Sequence, residues 1–121
     1  MEVSKDAVGP LKCAKNCDIF SRIMRYPQVY STTMSDQDVV ALVVNWSNKP
    51  VEEFWFDFSS IGLKKWGEDI MNVRDLTAQK EIGNFKESQV KGTTMLVKNL
   101  PGNGSRMYRF NLVSQDQYEI Y

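Results

Sequence analysis

The chain contains no histidine. That absence excludes Ser-His-Asp and Cys-His catalysis, histidine-based zinc sites and the usual proton shuttle near neutral pH. Its two cysteines fall short of the four ligands of a structural zinc site, and neither metal nor cofactor is expected. Net charge is lacking as well, since 15 Lys and Arg balance 15 Asp and Glu. Without a positive field, nucleic acid is not an expected partner. No apolar run approaches the roughly 18 residues of a membrane-spanning helix, so no membrane partner is expected. The first residues, Met-Glu-Val-Ser-Lys-Asp, lack the apolar core of a signal peptide, and a secreted parent is expected to carry its signal upstream. No internal repeat or low-complexity stretch is present.

What is there is an ordinary globular balance. The 121 residues are 42% hydrophobic and 25% charged, enough for one domain with a real core. The richest stretch runs from Asp38 to Leu76. Val39 to Val44 is an unbroken run dominated by β-branched residues, which suits a strand in the middle of a sheet. Asn48-Lys49-Pro50 ends it, because Pro50 fixes its own φ and removes a donor. From Glu53 to Phe58 the period is two. Phe54, Phe56 and Phe58 share one face, and Glu53, Trp55 and Asp57 the other. Three phenylalanines on one face need an opposing apolar layer. Ser59-Ser60-Ile61-Gly62-Leu63 reads as a tight corner with about one helical turn.

Short strands separated by turn residues continue to the C-terminus. Candidates are 29–33, 38–46, 51–58, 71–76, 81–84, 88–90, 94–100 and 107–112. Tyr108, Phe110 and Leu112 alternate cleanly with Arg109 and Asn111. No amphipathic helix of ten or more residues is evident. The pattern predicts an all-β fold, an antiparallel, Greek-key-like β-sandwich of about eight strands. Residues 1–27 read as an irregular segment, residues 28–113 as the sandwich and residues 114–121 as a tail.

At these residues the chain resembles a known family. Val-Ala-Leu-Val-Val-Asn from Val40, Phe-Ser-Ser-Ile-Gly-Leu from Phe58 and Val-Arg-Asp-Leu from Val73 look like the C-terminal antiparallel β-domain of glycoside hydrolase family 27. That family includes the alpha-galactosidases and alpha-N-acetylgalactosaminidases. Glu2-Val3 and Lys5 to Gly9 are similar to the segment where those enzymes leave their catalytic barrel. Gln28-Val29-Tyr30 with Ser35 to Asp38 resembles the first strand and turn of their β-domain. The resemblance spans residues 2 to 113, weakly from Pro10 to Pro27. It implies a non-catalytic domain that packs on, and stabilises, an upstream (β/α)8 barrel within the same protein. The parent would hydrolyse terminal alpha-galactosides with retention, in a secreted, lysosomal or vacuolar setting. The family's catalytic aspartates lie in the barrel, so none falls in this chain.

Several residues invite a functional reading beside a plainer one. Glycosidases need two carboxylates flanking the scissile bond. Glu52, Glu53, Asp57, Glu68, Asp69, Asp75 and Glu81 are available, but solvated strand-face and turn positions are the favoured account of them. Asp75 falls at the family's Arg-Asp-Leu, and with Arg74 it is expected to be structural, its carboxylate accepting hydrogen bonds near a turn. Trp46, Trp55 and Trp66 are candidates for stacking on sugar rings, which would make the chain a stand-alone carbohydrate-binding module. Anchoring against a barrel is the favoured reading of them. Cys13 and Cys17 are spaced for a small disulfide loop, or are free thiols. Asn45-Trp46-Ser47 and Asn103-Gly104-Ser105 fit the N-glycosylation pattern, Asn103 in an obvious turn and Asn45 at a strand end. An immunoglobulin-like domain is disfavoured, because the Cys…Trp…Cys spacing is missing.

Overall fold

The structure, a computed structural model, describes residues 10–35, 37–63, 69–86 and 94–113. Among them are eight strands and two short helical turns. In chain order they are β1 (Lys12–Lys15), α1 (Ile19–Ile23), β2 (Gln28–Thr33), β3 (Val39–Val44), β4 (Val51–Asp57), a 3-10 turn (Phe58–Ile61), β5 (Ile70–Asp75), β6 (Lys80–Lys86), β7 (Thr94–Leu100) and β8 (Ser105–Val113). Six strands form one sheet in the order β1-β2-β3-β8-β5-β6, and β4 pairs with β7 in a second sheet. Every described pairing is antiparallel.

The β-branched run occupies the position its composition predicts. β3 lies between β2 and β8 in register Val39↔Phe110, Ala41↔Tyr108 and Val43↔Arg106. The period-two strand also faces as expected. Phe54 and Phe56 on β4 are buried, while Glu53, Trp55 and Asp57 are exposed. The phenylalanines meet the inner face of the large sheet, Phe56 standing edge-on to Phe110 at 6.5 Å between ring centroids. Phe58 reaches the same ring at 5.7 Å. Val29, Val43, Met71, Val73, Val97 and Leu100 complete the layer between the sheets. Each buried aliphatic or aromatic side chain there contributes about 1.5–3 kcal/mol relative to exposure. The corner after Phe58 is the predicted helical turn. It closes at Gly62, whose φ of 91° lies in a region that favours glycine.

Residues 1–27, read from sequence as irregular, are not wholly so. β1 pairs with β2 and forms one edge of the large sheet. Its sequence, Lys-Cys-Ala-Lys, has no apolar alternation, which suits an exposed edge and hides it from pattern reading. α1 follows. Its N-cap is Asp18, which accepts from the Ser21 amide at 3.1 Å and the Ser21 hydroxyl at 2.7 Å. These bonds hold the Asp18 carboxyl below its usual pKa, the Ser21 hydroxyl most of all. The candidate strand 88–90, residues 2–9 and the tail lie outside the described residues.

Candidate functional site

The sequence candidates are scattered. Glu52, Glu53 and Asp57 are exposed along β4. Glu81 accepts from Asn72 Nδ2 at 2.7 Å and pairs with Arg74 at 3.3 Å, on the outer face of the large sheet. Asp75 projects from the opposite, inner face, across from Tyr108. It is buried, and its Oδ1 accepts from the Ala78 amide at 2.9 Å, closing the β5–β6 turn. Arg74 therefore points away from Asp75. Glu68 and Trp66 lie outside the described residues. No group of three His, Cys, Asp or Glu that could hold a metal occurs among the described residues.

Trp46 and Trp55 are each about half exposed, at 52% and 50%, but one lies in the loop after β3 and the other on β4. Trp55 stands on the outer face of β4. Trp46 follows β3, and its Nε1 donates to Gln28 Oε1 at 2.6 Å. Tyr30 Oη donates to the same oxygen at 2.7 Å. Arg22, Gln28, Tyr30 and Trp46 enclose a shallow cavity of about 290 Å³. Trp46 and Tyr30 are engaged with the Gln28 amide oxygen, the Gln28 amide nitrogen donates to Asn16 O at 3.0 Å, and the two tryptophans do not form one platform.

Cys13 and Cys17 form a disulfide, which bridges β1 to the residues before α1. Asn103 is exposed at the tip of the β7–β8 turn, with φ 54°. Asn45 is fully buried, and its Nδ2 donates to Lys49 O at 2.8 Å and Pro101 O at 3.1 Å. Its Oδ1 accepts from the Ser47 amide at 3.0 Å. Its backbone N–H donates to Gly104 O at 2.8 Å, and the Asn103 N–H to Ser47 O at 2.7 Å. Asn45 is thus a clasp between the β3–β4 loop and the β7–β8 turn, and its amide nitrogen is not available to a glycan. The loops touch so closely that a Cβ on Gly102 would collide with Asn48 O.

Sequence reading missed two features. Asp38 is buried and binds Arg109 Nε at 2.7 Å and Asn111 Nδ2 at 2.6 Å. The other is the surface of α1. Ile19, Phe20 and Ile23 are 74%, 63% and 72% exposed, with Met24, Leu11 and Tyr26 exposed nearby. Phe20 meets the Tyr26 ring edge-on, at 6.2 Å between centroids. α1 buries just Ser21. A hydrophobic helix that turns its apolar residues outward marks a surface for something else to cover. Isoleucine, phenylalanine and arginine alternating within five residues give no such signal in sequence.

A family model described as the alpha galactosidase C-terminal beta sandwich domain matches residues 25–110. No curated protein matches the chain. Among solved structures it is similar to alpha-galactosidase I of Mortierella vinacea, with TM-score 0.63 and 18% identity over 84% of this chain and 23% of that one. It is similar to a GH27 β-L-arabinopyranosidase of Geobacillus stearothermophilus, with TM-score 0.67 and 14% identity over 91% of this chain and 21% of that one. A Saccharomyces cerevisiae alpha-galactosidase solved with raffinose gives TM-score 0.60 and 11% identity, over 86% and 33%. At such identities the likeness is one of fold. The chain spans between a fifth and a third of those solved chains.

Proposed function

The chain belongs to the family of alpha-galactosidase C-terminal β-sandwich domains, and we propose that it packs on and stabilises the catalytic barrel of an alpha-galactosidase-like glycoside hydrolase. The observation that carries this reading is the outward apolar surface of α1, where three of five side chains are more than 60% exposed. Buried against a barrel, each would contribute about 1.5–3 kcal/mol. α1 also lies before the matched residues 25–110, on the side of the chain that would lead from a barrel. The parent hydrolyses terminal alpha-galactosides with retention, and this domain supplies no catalytic group. Carboxylates on opposite faces of one sheet, as Asp75 and Glu81 are, support that division of labour. The Cys13–Cys17 disulfide favours an oxidising, secreted, lysosomal or vacuolar setting.

The test is hydrolysis of a chromogenic alpha-galactoside by this chain and by a version extended upstream in its gene. Turnover by the extended protein alone is expected. Turnover by the 121-residue chain would refute the reading.

A further inference from the structure

The docking reading leaves unused a cleft at the end of the sandwich, between the β5–β6 turn, the end of β7 and the start of β8. Its cavity measures about 590 Å³. Three cationic residues line it, Lys80, Lys98 and Arg106, against the single carboxylate of Asp75. Arg106 Nη2 donates to Asn99 O at 3.0 Å, while Lys80 and Lys98 make no ion pair among the described residues. Tyr108 is 3% exposed, yet its hydroxyl has no hydrogen-bond partner among the described residues. Buried phenol hydroxyls usually find one. Burial, and then the charge of Asp75, push its pKa up to about 12, so it keeps its proton and can both donate and accept. Thr77 Oγ1 is engaged, accepting from the Met107 amide at 2.9 Å.

We propose that this cleft binds a sugar acid, a saccharide unit carrying a carboxylate. The excess of positive charge selects an anion and would hold its carboxylate by charge-assisted bonds at Lys98 and Arg106. A bare oxyanion does not account for the rest. Asp75 repels it, and the volume falls in the range of small-organic-ligand sites, roughly 300–1,000 Å³. Asp75, as acceptor, and Tyr108, as donor and acceptor, suit the hydroxyl groups of a sugar ring. All these residues belong to this chain, so the site does not depend on the docking reading.

The experiment is a titration of the 121-residue chain with D-galacturonate, D-galactose and sodium sulfate. Calorimetry gives the affinity, and the amide shifts of Ala78 and Asn99 give the location. Galacturonate is expected to move both amides and to bind roughly tenfold or more tighter than galactose or sulfate. Lys80→Ala/Lys98→Ala changes two exposed side chains and should weaken it by roughly tenfold. Tyr108→Phe, which keeps the ring in the core, should weaken it several-fold with an unchanged circular dichroism spectrum. Sulfate binding as tightly as galacturonate would make the cleft a bare oxyanion site and overturn the proposal. So would full affinity in the double lysine variant, or galacturonate leaving Ala78 and Asn99 unmoved.

Discussion

Arg109 Nε lies 2.7 Å from Asp38 Oδ2, across 71 positions of sequence. Asp38 is buried where β3 begins, and it also accepts from Asn111 Nδ2 at 2.6 Å. The pair ties β8 to the entrance of β3 on the outer face of the large sheet. Removing one partner of a buried pair leaves the other uncompensated, at about 3–5 kcal/mol when both are inaccessible. The Arg109 side chain is 34% exposed, so water recovers part of that loss. Asp38→Ala is expected to destabilise the domain by about 2 kcal/mol in urea unfolding. A coupling near zero in a cycle with Arg109→Met would show that the pair is dispensable.

Asn45→Ala should cost about 2–3 kcal/mol, since it removes the side-chain partner of the Lys49 carbonyl and of the Ser47 N–H, while the Pro101 carbonyl keeps the Gly104 N–H. A thermal melt measures it. The same geometry distinguishes the two N-glycosylation triplets. Peptide mapping of protein made in a eukaryotic secretory host should find any glycan on Asn103 and none on Asn45.

Tyr108 gives the domain an alkaline signature. Its pKa is about 12 when folded and roughly 10 when unfolded. Below pH 10 the phenol is protonated in both states and does not affect the balance. Between pH 10 and 12 the unfolded chain releases the proton and the folded one keeps it, so stability falls as pH rises. The loss is about 3 kcal/mol, complete above the folded pKa. Tyr108→Phe should lose less stability over that window than the parent protein. Identical pH profiles for the two would show that the phenol is not held neutral.

The frame of the domain was legible because two physical signals were strong. The run Val39 to Val44 could hardly be other than a central strand, and Phe54, Phe56 and Phe58 demanded an opposing layer, which Phe110 supplies. What stayed hidden depends on distant partners or on very short elements. Asp38 looks like a turn residue until Arg109 is placed beside it. Asn45 sits in a glycosylation triplet, and its role as a clasp emerges only when Pro101, 56 residues on, comes within 3.1 Å. α1 has five residues, too few to show a period. The sequence did pick out Asp75, but its geometry involves Ala78 and Tyr108, not the neighbouring Arg74, because adjacent strand residues face opposite ways.

The most direct test of a docking domain compares one change in two settings. Phe20→Ser/Ile23→Ser alters side chains that are 63% and 72% exposed here, so the melting temperature of this chain by itself should barely move. In the upstream-extended protein the same change should lower the melting temperature by several degrees, because the barrel would lose the apolar surface it covers. An unchanged melting temperature in the extended protein would contradict the account.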